Sequence, residues 1–147
     1  MPNLRPIGHH TITPSFIVQG AAEVVRFMEK AFGAHVVDRY DGPGGSLMHA
    51  EVMIGDSVVM CADPMEGWEP MPAVLSFYVS DGAAVDATYK RALEAGATDL
   101  GAPEDQPWGY RAARVKDPGG NRWTICAVIA VVTHDEVERR MAEMMKG

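Results

Sequence analysis

One order of elements occurs twice in this chain, and it is the strongest constraint on the fold. TITPSFIV (11–18) alternates polar and apolar residues, as a half-buried strand does. AAEVVRFMEKAF (21–32) then sets Val24, Val25, Met28, Ala31 and Phe32 at helical spacing, and Gly33 stands where a helix C-terminus favours a left-handed residue. A strand at His35–Tyr40, a DGPGG turn (41–45) and the hairpin LMHAEVMIGDSVVMCAD (47–63) complete the unit. After a Pro-rich bridge, DPMEGWEPMP (63–72), the order returns. AVLSFYV (73–79) predicts a strand, and GAAVDATYKRALEA (82–95) predicts a helix closed by Gly96. Thr98–Leu100 predicts a short strand, GAPEDQPWG (101–109) a loop, and Tyr110–Val115 with Arg122–Val128 a hairpin across KDPGGN.

Landmarks of the halves keep a nearly constant offset: Gly33 to Gly96 is 63 positions and Gly55 to Gly119 is 64. A fixed offset marks a duplicated unit. The expectation is an α+β domain of two repeated βαβββ modules, about 11–63 and 73–128, whose curved mixed sheets form a cleft. Neither half buries its sheet alone, so 1–147 reads as one domain, a size that supports a real core. THDEVERRMAEMMK (133–146) is a further helix, opened by a Thr133/Glu136 capping box and striped with Val137, Met141, Met144 and Met145. It is expected to pack on its own domain or on a second subunit.

Composition excludes several classes. The net charge of −7, from 13 basic and 20 acidic residues, speaks against a nucleic-acid partner. No apolar run approaches the ~18 residues of a membrane span, and MPNLRPIGHH lacks the apolar core of a secretory signal, so a cytoplasmic protein is expected. Cys61 and Cys126 lie in apolar strands without metal-type spacing and read as buried free thiols.

Gly55-Asp56 is a two-residue hairpin signal and fixes the register of the first hairpin. It pairs Ile54 with Ser57, Val52 with Val59 and Ala50 with Cys61 as one face turned to the helices. The other face then carries Leu47, His49, Glu51 and Met53 across from Ala62, Met60 and Val58. That face is too apolar for bulk water and too polar for a dry core, which suits a small-molecule cleft. By the same parity Tyr78 and Arg122 face the cleft from the second module, and the loop aromatics Trp68 and Trp108 offer flat surfaces for a ligand ring. Arg111 and Arg114 point to opposite sides of their strand. The candidate ligand-binding residues are therefore His49, Glu51, Met53, Met60, Trp68, Tyr78, Trp108 and Arg122. His49 and Glu51 are also the candidate catalytic pair if the protein is an enzyme, and their replacement by Ala is expected to weaken binding with little change in melting temperature. Asp117-Pro-Gly-Gly-Asn121 is turn chemistry, without the Lys-Ser/Thr of a phosphate loop. No serine sits in a nucleophile elbow.

The stretches AFGAHVV, LMHAEVMIGDSVVM, PWGYRAARVKDPGGNRW and THDEVERRMAEMMK, in that order, resemble the glyoxalase/bleomycin-resistance/dioxygenase (vicinal oxygen chelate) superfamily and its PhnB-like branch. The resemblance covers about 11–146. It implies a homodimer and a cleft for a small organic molecule. The family's metal enzymes place four His or Glu side chains on four strands, and those places fall on Thr13, Met60, Val74 and Thr124 here. No cofactor is therefore expected, and a divalent metal held by His49, Glu51 and His9 or His10 is disfavoured. The expected function is small-molecule binding without the usual metal ligands. The alternative is a lyase, isomerase or dioxygenase-type enzyme with a relocated metal site or metal-free His/Glu acid–base chemistry.

Overall fold

A computed structural model describes residues 4–147. The first module runs β1 (Ser15–Ile17), α1 (Ala21–Phe32), β2 (His35–Asp41), β3 (Leu47–Ile54) and β4 (Ser57–Ala62). The second runs β5 (Val74–Tyr78), α2 (Gly82–Glu94), β6 (Thr98–Asp105), β7 (Tyr110–Lys116) and β8 (Arg122–Val128), and α3 (His134–Lys146) follows. Each module builds one four-stranded mixed sheet, in the orders β1-β4-β3-β2 and β5-β8-β7-β6. The first and last strands of each module pair in parallel and the rest antiparallel. The α+β repeat read from the sequence is the fold.

Helices α1 and α2 each cover one face of their own module's sheet, and α1 also packs on α2. Val24, Val25 and Met28 of α1, Val85 and Ala92 of α2, and Phe16, Val52, Val115 and Ile125 of the strands make one continuous core. Phe32 joins the halves, its ring 4.9 Å from Phe77 and 4.8 Å from Trp123. Gly119 permits the approach: a β-carbon there would lie 2.6 Å from Val24 and 2.9 Å from Val18.

Two carboxylates fasten the connections. Asp63, at the start of the bridge, accepts the Gly20 and Ala21 amides at 3.1 Å each and the Leu47 amide at 2.6 Å. It thereby caps α1, whose own N-cap Gly20 has no side chain to do so. Asp117 is buried and accepts the Gly119 and Asn121 amides, the Asn121 side-chain amide and the Trp123 indole, all at 2.8–3.0 Å. Asn121 in turn accepts the Ala73 amide ahead of β5. The DPGGN run is a structural turn.

The β3–β4 register matches the sequence reading, from Ile54 opposite Ser57 to Ala50 opposite Cys61, with Glu51 facing Met60. Gly55 has φ +59°, as a turn with glycine first requires. Four expectations need correction. Leu47 is in the core, not on the open face, because alternation breaks at Met48 beside a register shift at Tyr40/Asp41. The first strand is shorter than 11–18, because the Thr13 hydroxyl closes a turn on the His10 backbone. Conversely, β6 continues to Asp105 through the stretch expected as loop. It is an edge strand with two register shifts, so Pro103 costs it no essential hydrogen bond. Half of the capping box forms: Thr133 accepts the Glu136 amide, while the Glu136 carboxylate binds Arg139 and Arg140.

Candidate functional site

The helix-free face of the first sheet is crossed by the segment before β1. The Val58 amide donates to the Gly8 carbonyl and the Met60 amide to that of Pro14, both at 2.9 Å, so this arm prolongs the line of β1 along β4. Gly8 has φ +81° and lies so close to the sheet that a β-carbon would collide with Met53 and Val58. Glycine alone fits both conditions. The arm explains why Val58, although it faces away from the core, is buried.

His9 turns from this arm onto the sheet. Its Nε2 lies 2.8 Å from Glu51 Oε1, while His49 Nε2 lies 2.9 Å from Glu51 Oε2. One carboxylate thus accepts from two imidazoles, with side-chain exposures of 11% for His9, 18% for Glu51 and 37% for His49. A carboxylate so engaged fixes both rings through Nε2 and leaves the more open ring, that of His49, to meet solutes. The Tyr40 ring stands 6.3 Å from the His49 ring. The charge of Asp38 pushes the Tyr40 phenol above its usual range. Both imidazoles are bonded to Glu51, and among the described residues no set of three or more His, Cys, Asp or Glu side chains converges as metal ligands would.

Beside Glu51 is a hollow of about 550 Å³. Ile7, Val37 and Met53 form its apolar wall, and His9, His35, Asp38 and Glu51 its polar one. The arm supplies part of both. His9 and the arm are what the sequence reading missed as an organising element. The adjacent histidines behind a glycine were a visible signal, but nothing local indicated that His9 meets Glu51, 42 positions away.

Of the sequence-predicted candidates only Glu51 and Met53 line this hollow; His49 reaches it through Glu51, and the others do not join it. Met60 lies beside Glu51 in register. Tyr78 is on the second sheet, its ring 6.0 Å from Tyr110, and a hydrogen bond to Tyr110 raises its phenol. Tyr78 lines another cavity, of about 360 Å³, between the β3–β4 turn and β5. There Ser57 Oγ donates to Asp56 at 2.8 Å and stands 3.4 Å from His10 Nε2. The serine proton is directed to Asp56, not to the imidazole, so this is no nucleophile–base relay. Trp68 is exposed in a turn closed by Met65, and Trp108 is half-buried before β7. Arg122 lies on the helix-free face of the second sheet, opposite Lys116. Arg111 reaches Asp86 of α2, so Arg114 is the arginine of β7 that takes the helix-free side.

The family model of the Glyoxalase/Bleomycin resistance protein/Dioxygenase superfamily matches residues 7–125. The chain belongs to this superfamily. Uncharacterised proteins of Mycobacterium bovis and Mycobacterium tuberculosis are each 36% identical over 92% of the chain, covering 95% and 85% of their own lengths. TioX from Micromonospora sp. has the same fold, with a TM-score of 0.68 at 23% identity over 81% of this chain and 98% of its own. A glyoxalase/bleomycin resistance protein/dioxygenase family enzyme from Burkholderia phytofirmans gives a TM-score of 0.65 at 21% identity, over 78% and 94%. In this superfamily member the face carrying Glu51 and that carrying Arg122 are the helix-free sides of the two repeated sheets. Among the described residues no helix is long and apolar enough to cross a membrane.

Proposed function

We propose that this superfamily member, of the PhnB-like branch, binds a small organic molecule on the helix-free face of its first sheet, as a homodimer and without a resident metal. The observation that carries the reading is the Glu51 carboxylate clasped between His9 and His49 beside a hollow with both apolar and polar walls. Such a mixed, part-enclosed surface binds ligands by apolar contact and orients them with few polar groups. Met53 suits the contact, and His49, held by Glu51 beside the hollow, the orientation.

The donor chemistry at the four places carried over from the metal enzymes supports the metal-free reading. Val74 has no lone pair and is 80% exposed. The Thr13 hydroxyl is bonded to the His10 backbone. A thioether at Met60 and a hydroxyl at Thr124 do not complete a set that holds a hard or borderline divalent ion.

A second reading, acid–base catalysis, rests on the His49–Glu51 contact of 2.9 Å: an imidazole oriented by a carboxylate through Nε2 keeps its other nitrogen for a substrate proton. A ligand screen by thermal shift, followed by titration of hits into the wild type and His49→Ala, tests binding at this face. Affinity should fall about tenfold when one charge-assisted contact is lost. Unchanged affinity in His49→Ala removes the site. Turnover of any hit by metal-free protein, abolished in His49→Ala, replaces the binding reading with the catalytic one.

A further inference from the structure

The arginines on strands are of two kinds. Arg39 on β2 holds Asp41 at 2.9 Å, and Arg111 on β7 holds Asp86 and Asp105 at 2.8 and 2.9 Å. Arg114 on β7 and Arg122 on β8 have no such partner, and neither does Lys116: among the described residues none of the three side chains makes a hydrogen bond or an ion pair. Strand register nevertheless assembles them. Lys116 lies directly opposite Arg122, and Arg114 directly opposite Thr124. Val115 and Trp123, the intervening positions, are in the core, so the three cations project from the other, helix-free face of the second sheet.

Like charges directly opposite on neighbouring strands repel at side-chain separations of about 5 Å. The chain has 20 acidic residues against 13 basic ones, yet among the described residues no carboxylate forms an ion pair with any of the three. Asp99 pairs with the core-facing Val115 and accepts the Gly101 amide, and Glu104, opposite Ala112, makes no ion pair with Arg114. Beside Arg114 the sheet carries a hollow of about 370 Å³, walled by Pro103, Glu104, Gln106 and Ala112. Gly101, opposite Arg114, leaves the backbone there bare.

We infer that this face is an oxyanion site. It takes a small organic molecule whose phosphate or carboxylate group sits on Arg122, Lys116 and Arg114, and whose body lies over Ala112 and Gly101. Two guanidinium forks and an ammonium suit an oxyanion with several acceptor oxygens, and the Thr124 hydroxyl adds a donor. Three cations favour a dianion, so the phosphate form binds tighter than the carboxylate. The inference goes beyond the reading of the first sheet: it assigns a second site with its own ligand class, on the other sheet, and uses none of the residues around Glu51.

The test titrates phenyl phosphate, benzoate and inorganic phosphate into the full chain at low ionic strength, by calorimetry. Phenyl phosphate should bind more tightly than either of the others, and the binding should weaken with salt. Arg122→Gln and Lys116→Gln should each weaken it about tenfold, the loss of one charge-assisted contact. The same variants should melt no lower than the wild type, because each relieves the Lys116–Arg122 repulsion. Lys146→Gln, a cation removed from a different element, should leave phenyl phosphate binding unchanged. Absence of phenyl phosphate binding, equal binding in Arg122→Gln, or a shift of these variants only in oligomeric state, with the cations serving a second copy, overturns the inference.

Discussion

Glu51 Oε1 and His9 Nε2 stand 2.8 Å apart, and this contact links the segment ahead of β1 to the middle of the first sheet. The arm is otherwise held near that point by the Val58 amide on the Gly8 carbonyl. His9→Ala should therefore loosen it at a cost of about 1 kcal/mol, the net worth of one hydrogen bond. Glu51→Ala removes both imidazole contacts and should cost about 1–3 kcal/mol, so it is not the neutral change that the sequence suggested. Amide exchange reads the arm directly. The Val58 amide should exchange faster in His9→Ala, while the Val59 ladder to Val52 stays protected. Equal Val58 protection in variant and wild type would show that the arm does not depend on Glu51.

Cys61 gives the fold an alkaline limit. It is 1% exposed between β1 and β3, and burial pushes its thiol up to about 12. A folded-state value above the unfolded one means that the stabilisation is complete below about pH 9 and is lost as the pH rises toward 12. Stability should fall by as much as about 1.4 kcal/mol per pH unit in that window from this group alone. Cys61→Ala should flatten the decline between pH 9 and 11, measured by urea unfolding. A thiol reagent at pH 8 should label neither cysteine before unfolding, since Cys126 is buried as well.

The sequence made local features legible and tertiary ones obscure. The β3–β4 register followed from Gly55-Asp56 because a two-residue turn leaves no freedom in pairing. The α1 boundaries followed from apolar spacing and Gly33, whose φ of +67° is the left-handed value expected. Leu47 misled because its side depends on a register shift against β2, which strand alternation does not report. β6 was cut short because Gly101 and Pro103 weaken any strand signal, and only its place at the sheet edge makes them tolerable. His49 and Glu51 were legible as a pair through their two-residue spacing. His9 was not, since its partner is set by how the arm folds over the sheet.

Asp117 is the carboxylate on which the second module most depends. It is 3% exposed and satisfies four donors within one turn. Asp117→Ala leaves buried amides and the Trp123 indole unpaired and should cost about 3–5 kcal/mol. At roughly 2–4 °C per kcal/mol for a domain of this size, the melting temperature should drop by about 10 °C or more. A drop no larger than that of a surface control such as Lys146→Ala would show that the turn holds without its carboxylate.

The last helix leads to the oligomeric state. Thr133 caps α3, and Arg140 reaches the Pro107 carbonyl at 3.0 Å, but none of its residues is buried. Its Met141, Met144 and Met145 are exposed, Met145 to 86%. Three methionines on one side of a helix are a surface that a second chain can cover, and their flexible thioethers adapt to an irregular partner. Light scattering should give the mass of two chains. Met141→Glu with Met144→Glu should shift it toward one chain while the melting transition of the βαβββ modules remains. A wild-type mass of one chain at working concentration would refute the homodimer, and a dimer untouched by both glutamates would move its interface away from α3.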